Sequence, residues 1–226
     1  MEMWFVWGFL IILAYDGFLM ALFSWMVQSQ KFSQYRIRTP TTYRITKTKK
    51  AINISLNGLL SLSFFAAVFY HLHEYLMYFD QRASAVLMFG EVLGSLLLYD
   101  FMYYFLHRGM HHPKVMKYVH GVHHYARFPT SPESIYLHPA ENLAGLALLL
   151  FAVSVVGPIS AASLLLVLFI HQSVNILVHC NLVLPHPAFR LINFWATKHD
   201  FHHGKHLNKN YASIFPFWDQ MFGTYR

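Results

Sequence analysis

Residues 107–124 read HRGMHHPKVMKYVHGVHH, which places six histidines within eighteen residues. Inside this stretch His107 and His111 are four residues apart, and residues 120–124 (HGVHH) carry histidines at i, i+3 and i+4. On a helix, either spacing puts the imidazoles on one face. The i, i+3, i+4 pattern returns in residues 199–203 (HDFHH). This repetition predicts a shared histidine-rich site and is the main indication of function in the chain.

The rest of the chain is strongly apolar. Hydrophobic residues make up 56% of the sequence and aromatic residues 18%, whereas only 12% of the residues are charged. A helix needs about 20 apolar residues to cross the hydrocarbon core of a membrane. Five stretches approach that length: residues 3–27, 51–72, 84–106, 141–157 and 160–179. We therefore expect an all-α integral membrane bundle of about four to five spans, in which the last two stretches form a hairpin broken at Gly157-Pro158.

The distribution of basic residues predicts the orientation of this bundle. Seven of the 17 lysines and arginines crowd the loop between the first two spans: Lys31, Arg36, Arg38, Arg44, Lys47, Lys49 and Lys50. The positive-inside rule makes this loop cytoplasmic, and it explains the net charge of +7 without a nucleic-acid partner. The first apolar stretch lacks a basic n-region and a clear cleavage site, so we interpret it as a retained span.

This orientation brings the histidine motifs to one membrane face. The third span delivers His107 to the cytoplasmic side, and the hairpin leaves and returns to that side. The region after Leu184 lacks another full span, so we expect it to form a cytoplasmic cap of short helices. His71 and His73 fall at the opposite face. The endoplasmic reticulum and the bacterial inner membrane both fit this topology.

Clustered histidines are typical of a transition-metal site, because neutral imidazole binds iron, zinc, copper and nickel. The three motifs supply eight histidines, which is too many for one tetrahedral zinc ion, so we predict two metal ions. His138 in LHPAEN and His179 at the end of the fifth span are expected near the same face. The ten predicted ligands are His107, His111, His120, His123, His124, His138, His179, His199, His202 and His203.

Helical phase adds polar residues to the predicted site. Asp100, Tyr104 and His107 follow i, i+4 and i+7 along the third span. A carboxylate in an apolar span is costly and usually functional, so we expect Asp100 to orient a histidine through its second nitrogen. An ion pair with Arg108 or a helix contact is the alternative. Asp100, Tyr104 and Asn175 are the expected catalytic residues.

The remaining histidines carry weaker predictions. His171 precedes His179 by eight residues and should therefore lie about 12 Å deeper along the span. There it would either line a substrate cavity or bond a neighbouring helix. For His171, as for His112, His186 and His206, a structural role is the favoured interpretation.

Six motifs together carry a family resemblance: residues 100–112 (DFMYYFLHRGMHH), 120–124 (HGVHH), 137–142 (LHPAEN), 178–181 (VHCN), 199–203 (HDFHH) and 210–225 (NYASIFPFWDQMFGTY). Their order and spacing resemble the fatty acid hydroxylase / sterol desaturase superfamily over roughly the last 130 residues. The closing motif is most similar to the sterol 4-methyl oxidase branch. The chain departs from that branch where His-Ser-Gly-Tyr is replaced by residues 179–182 (HCNL).

The resemblance implies a membrane oxygenase whose histidine-ligated di-metal centre, taken to be two iron ions, activates O2 to hydroxylate or desaturate a lipid. Zinc could replace iron in purified protein. The expected organisation is a single membrane domain, with N-terminal spans and the basic loop in residues 1–95 and the catalytic region in residues 96–226. Electrons would come from NAD(P)H through a separate reductase chain, because the sequence has no GxGxxG or CxxCH motif.

Two other functions use the same residues. A zinc-dependent membrane hydrolase would retain the ligands, but it lacks an HExxH motif and needs fewer histidines. A metal transporter or sensor would distribute its ligands through the membrane depth, whereas these gather at one face. In the oxygenase interpretation, the basic loop together with Lys198, Lys205 and Lys209 could steer an acidic electron carrier.

Overall fold

The computed structural model shows a protein built almost entirely of helices, and it describes residues 2–39, 45–79, 83–126, 129–204 and 206–226. The α-helices are α1 (Met3–Gln28), α2 (Lys47–Leu76), α3 (Ala85–Met110), α4 (Pro113–Val115), α5 (Gly121–His124), α6 (Pro139–Val156), α7 (Ala161–Leu177), α8 (Arg190–His203) and α9 (Phe217–Met221). A π-helix (Met116–His120) joins α4 to α5, and 3-10 helices occupy Gln30–Tyr35, Ser131–Ile135 and Pro187–Phe189. The two short strands β1 (Met77–Tyr78) and β2 (Ile159–Ser160) pair in parallel.

Local sequence explains where the long helices begin and end. The side chains of Thr46, Ser84 and Ser160 each accept a backbone N–H in the first turn of α2, α3 and α7, which satisfies a donor that has no partner within the helix. Gly157 ends α6 with a φ of 113°, a value that side chains disfavour, and Pro158 follows it. The predicted break of the hairpin is therefore confirmed.

The core lies where α3, α6 and α7 meet, with α1 packed on α7 and α2 packed on α6. Fully buried side chains such as Leu149, Leu164 and Leu168 fill it. Burial of apolar surface against neighbouring helices, rather than intrinsic helix propensity, supplies most of the stability of such elements.

The outer surface of the bundle is also apolar. Large hydrophobic residues including Trp7, Ile11, Leu59 and Phe89 are exposed on α1, α2 and α3. Among the described residues, four helices (α1, α2, α3 and α6) are long and apolar enough to cross a membrane, and α7 is a shorter apolar helix of 17 residues. An apolar exterior of this kind is stable in lipid. The prediction of an all-α, multi-pass membrane bundle is confirmed, whereas the membrane face of the histidine-rich cap stays a prediction.

Candidate metal centre

Nine histidine side chains converge at one end of the bundle and form two groups. Group A comprises His107, His111, His120, His124 and His202, and group B comprises His123, His179, His199 and His203. Within each group the potential ligand atoms all lie within 4.8 Å of one another. The structure therefore brings together nine of the ten histidines that the sequence singles out.

The two HxxHH motifs are each divided between the groups. In residues 120–124 the first and last histidines belong to group A and the middle one to group B. In residues 199–203 the first and last belong to group B, and His202 belongs to group A. On a helix, the residues at i+3 and i+4 lie on either side of the residue at i and are about 100° apart around the axis, so they can point to different groups although all three share one broad face. Each motif can therefore contribute to both groups.

A π-helical turn sets the position of the first HxxHH motif. Met116–His120 is π-helical and leads directly into α5, and single π-turns inside helices occur frequently at functional sites. A Cβ on Gly121 would collide with the carbonyl oxygen of Met116. Glycine at this position therefore permits the close backbone approach that places His120 beside α3.

Hydrogen bonds at Nδ1 fix the tautomers of four of these histidines. The Nδ1–H groups of His107 and His179 donate to the carbonyl oxygens of Tyr211 and Asn175, both at 2.7 Å. The Nδ1–H of His202 donates to the carbonyl oxygen of Lys209 at 2.6 Å. That of His120 donates to Glu141 Oε1 at 2.7 Å. Because these partners are acceptors, each Nε2 is left with a free lone pair. The four pairs are His107–Tyr211, His120–Glu141, His179–Asn175 and His202–Lys209.

The inward Nε2 atoms lie too close together for neutral rings without a shared cation. Nε2 of His107 and Nε2 of His120 are 3.2 Å apart, and both carry lone pairs, so they cannot hydrogen-bond to each other. Comparable Nε2–Nε2 distances of 2.9 Å and 3.0 Å separate His199 from His179 and His203. With a metal–nitrogen bond of about 2.1 Å, two ligands at a right angle lie about 3.0 Å apart. Both groups therefore fit metal ions.

Burial keeps these rings in the protonation state that binds metal. Desolvation lowers the pKa of His120 and of His179 to about 4, and it lowers the pKa of His111 to about 3. The pKa values of His202 and His203 are also lowered, first by burial and then by neighbouring histidines. At neutral pH these imidazoles are therefore uncharged, as coordination requires.

The expected hydrogen bond from Asp100 to a histidine is not formed. The Asp100 carboxylate instead accepts the backbone N–H groups of Ser213, Ile214 and Phe215 at 2.7, 2.9 and 2.7 Å. It therefore anchors the C-terminal segment, and Arg108 donates to the Tyr104 hydroxyl rather than to this carboxylate. The sequence indicated correctly that Asp100 has a specific partner, but a backbone partner leaves no trace in residue types.

The other two expected catalytic residues, Tyr104 and Asn175, have different surroundings. Tyr104 is fully buried, and its hydroxyl lies 3.0 Å from the Thr224 hydroxyl, among the residues that close the C-terminal segment. Asn175 provides the carbonyl oxygen that accepts from His179 and also lines the cavity beside the histidines. Of the three expected catalytic residues, Asn175 lines this cavity, whereas Asp100 and Tyr104 do not.

His138 stands apart from both groups, contrary to the prediction of ten ligands. It is the N-cap residue of α6, where its Nδ1 accepts the backbone N–H of Ala140 at 3.1 Å. His138 precedes Glu141, which contacts His120, by three residues, but its own side chain belongs to neither group. A histidine that caps a helix just before a proline gives the same sequence pattern as a histidine that binds a metal. Spacing in the sequence alone therefore could not distinguish a capping role from a ligand role for His138.

The predicted basic surface near α8 is also only partly present. Lys198 is buried, with 6% exposure, and its ammonium group donates to the Ala212 carbonyl and pairs with Asp219 at 3.1 Å. It therefore cannot steer a partner. Lys209 is partly exposed, whereas Lys205 and Arg44 lie outside the described residues. Arg38 is tied to α8 by an ion pair with Asp200 at 2.8 Å.

Comparison with known proteins identifies the family. A family model described as fatty acid hydroxylase matches residues 92–224, which hold all nine convergent histidines. The chain belongs to the fatty acid hydroxylase family. No solved structure matches it significantly.

Curated relatives of the chain include named enzymes. Methylsterol monooxygenase 1 of Rattus norvegicus is 34% identical over 141 residues, which cover 60% of this chain and 46% of the relative. The protein of the same name from Danio rerio is 28% identical over 229 residues, covering 96% and 77%. Very-long-chain aldehyde decarbonylase GL1-11 of Oryza sativa subsp. indica is 34% identical over 143 residues, covering 60% and 52%. The chain thus spans about half the length of the rat and rice relatives.

Glu141 contacts one of the convergent histidines, and the sequence analysis did not predict this contact. Its Oε1 accepts the Nδ1–H of His120, while its Oε2 is buried and has no hydrogen-bond partner among the described residues. Such a carboxylate orients a metal-binding imidazole and raises its basicity. An acidic residue in the first turn of an otherwise apolar helix was the available signal.

Residues 179–182, where the chain departs from the branch pattern, contain an asparagine in a conformation that glycine also tolerates. Asn181 has a φ of 55°, in the left-handed region that glycine and asparagine tolerate best. Its side chain also exchanges two hydrogen bonds with the backbone of Arg38, each at 3.0 Å. Asparagine can therefore replace the glycine of the family branch here and tie the N-terminal loop to the turn that carries His179.

A cavity of about 90 Å³ opens beside the histidines of this family member. Ligand sites commonly hold about 300–1,000 Å³, so a ligand of that size could enter this cavity only if its walls separate. Side chains from α2, α3, α6 and α7 line it, and four of the convergent histidines form one end: His107, His123, His179 and His199. The cavity therefore connects the apolar interior of the bundle to both histidine groups.

Proposed function

We propose that this chain is a membrane oxygenase that uses two iron ions and O2 to hydroxylate or desaturate a lipid of the sterol or fatty-acyl type. The observation that carries the proposal is the convergence of nine histidine nitrogens, several held by Nδ1 partners with their lone pairs inward, beside a cavity that lies within the helical bundle. Membership of the fatty acid hydroxylase family supports it. The names of the relatives favour a sterol or long-chain lipid.

The protein supplies ligands, orientation and shielding in this mechanism. Group A would hold one ion and group B the other, and the ions when bound would supply the redox chemistry with O2 that no side chain provides. The Nδ1 partners hold the imidazoles at fixed angles, so the site is formed before substrate enters. Burial of the surrounding residues excludes water, which protects the reaction from competing chemistry.

The partners and location of the enzyme are part of the same proposal. Two electrons per turnover would come from NAD(P)H through a separate electron-transfer protein. The histidine-rich end would face the cytoplasm, as the basic loop indicates. Residues 96–226 would form the catalytic region, with residues 1–95 completing a single membrane domain. The gathering of the histidines at one end of the bundle disfavours a transport function, which calls for ligands at several depths.

The proposal is tested by comparing the lipids of cells that produce the wild-type chain or His202→Ala. We expect one lipid class to lose its oxidised product and accumulate its precursor only in His202→Ala, because this substitution removes a group A nitrogen. His71→Ala, which alters an exposed histidine on α2, serves as the matched control and should resemble wild type. Identical lipid profiles for wild type and His202→Ala would contradict the proposal.

A further inference from the structure

A pair of polar side chains lies at the deep end of the cavity, away from both histidine groups. His171 on α7 is only 8% exposed, and its Nε2 lies 2.9 Å from the hydroxyl oxygen of Tyr99 on α3. The two rings meet edge to face with centroids 4.7 Å apart. Both residues line the cavity.

One hydrogen-bonding atom of this pair is unused. Nδ1 of His171 is buried and has no hydrogen-bond partner among the described residues. Burying a polar atom without a partner is unfavourable, and most buried polar atoms in proteins are satisfied. Because His171 borders the cavity, a ligand in the cavity is the natural partner for this atom.

Tyr99 and His171 lie at the same depth in the bundle, measured from the histidine groups along α3 and α7. Tyr99 precedes His107 by eight residues along α3, and His171 precedes His179 by eight residues along and just beyond α7. At about 1.5 Å per helical residue, each separation is about 12 Å. Tyr103 bridges this distance, with its ring 5.4 Å from the rings of both Tyr99 and His107. A continuous wall thus leads from the pair to the histidine groups.

We propose that His171 and Tyr99 bind the hydroxyl group of the lipid substrate and so select the carbon that reaches the histidine groups. A hydroxyl can both donate and accept, so it satisfies Nδ1 in either tautomer of His171. A carbonyl would suit only the tautomer that is protonated at Nδ1. A charged headgroup would be costly to bury beside Tyr99 and His171, which are 2% and 8% exposed. Because the pair and the histidine groups lie about two helical turns apart, several bonds of the substrate would separate the recognised hydroxyl from the reacting carbon.

This inference rests on the proposed oxygenase function, because it assigns a substrate group to the same cavity. Both sterols and fatty-chain lipids can carry such a hydroxyl. Two matched probe pairs distinguish these sources. Cholesterol and cholest-5-ene differ only in the sterol hydroxyl, and 1-hexadecanol and hexadecane differ only in the terminal hydroxyl of a linear chain.

The test measures equilibrium binding of the four probes to the full chain in lipid nanodiscs. In wild type, one pair should show a preference for the hydroxylated member of several-fold up to about tenfold, the range of one net hydrogen bond. The pair that shows the preference identifies the lipid class. His171→Phe should lose the preference while binding the probe without the hydroxyl as wild type does, and Tyr99→Phe should reduce it.

Controls separate recognition from folding and from catalysis. His171→Gln retains a donor and an acceptor and should restore part of the preference, which a purely structural role would not do. His71→Phe makes the same substitution at an exposed site on α2 and should keep the full preference. Absence of any preference in wild type, or its persistence in His171→Phe, would overturn the proposal. Binding does not require turnover, so a failure of the oxygenase proposal would appear separately, as unchanged lipids in the His202→Ala comparison.

Discussion

At the scale of single residues, the hydrogen-bond partner of Nδ1 determines whether the Nε2 atom of a histidine has a lone pair free to bind a metal ion. His120 and His202 present lone pairs inward because their Nδ1–H groups donate to Glu141 and to the Lys209 carbonyl. Spacing in the sequence predicts which imidazoles share a helix face, but it carries no information about backbone acceptors. This explains why the sequence predicted nine histidines that converge in the structure, whereas Glu141 was missed and His138 was included.

Gly121 offers a test of the π-turn that positions the first HxxHH motif. Gly121→Ala should displace the Met116 carbonyl, because a Cβ at this position collides with it, and overpacking of this kind costs about 1–3 kcal/mol of stability. We expect a lower thermal unfolding midpoint and a lower metal content by elemental analysis. Gly58→Ala adds a Cβ with no atom within 4 Å. Because alanine is the better helix former inside α2, this variant should unfold at the wild-type temperature or slightly above it and should keep its metal content. Equal effects of the two substitutions would refute the role of the turn.

Asn181 tests whether the departure from the family pattern is conformational. Asn181→Ala and Asn181→Gly both lose the two hydrogen bonds to Arg38, but only alanine is strained at a φ of 55°. A left-handed conformation costs a residue with a Cβ about 1–2 kcal/mol. Thermal unfolding should therefore show the alanine variant to be less stable than the glycine variant by about that amount. Equal stabilities would argue against a conformational requirement.

At the scale of elements, the C-terminal segment acts as a clamp on the metal centre. Asp219 accepts the N–H groups of Tyr211 and Ala212, at 2.7 and 3.1 Å, and Asp100 accepts the next three N–H groups of the chain. The same segment supplies the carbonyl oxygens of Tyr211 and Lys209 to His107 and His202. Two carboxylates thus fix the backbone that orients two group A histidines.

The clamp predicts that a residue outside the metal site controls metal affinity. Asp219→Asn should weaken metal binding by roughly 10–100-fold, the usual effect of losing a partner that orients ligands, without removing any ligand. Metal titration of the purified chain measures this change. Glu74→Gln neutralises an exposed carboxylate on α2 and should bind metal as wild type does. Unchanged affinity in Asp219→Asn would show that the clamp is dispensable.

Whole-molecule architecture was the part most accessible from sequence. Long apolar stretches predicted α1, α2, α3, α6 and α7 within a few residues at most ends, because lipid requires such lengths. The boundaries that differ have local causes, such as the Thr46 cap that starts α2 before its apolar stretch. The assembly of the short segments around α8 and α9 depends on long-range bonds to Asp100 and Asp219, so no local pattern could predict it.

The orientation of the bundle provides a prediction at the same scale. Reporters fused after Lys50 and after Arg226 should both lie on the cytoplasmic side. Between these two positions the chain leaves and returns once through α2 and α3 and once more through the hairpin of α6 and α7. Accessibility of the reporters in sealed vesicles measures this. The location of the basic loop on the cytoplasmic side follows from the positive-inside rule. Reporters on opposite sides would break the proposed topology.

The metal content of the purified chain tests the central claim most directly. Protein produced with an iron supply should contain close to two metal ions per chain, one for each histidine group. His202→Ala in group A and His123→Ala in group B should each lose metal together with activity, whereas His71→Ala should retain both. Active wild-type protein with one metal ion per chain, or with none, would contradict the two-metal account.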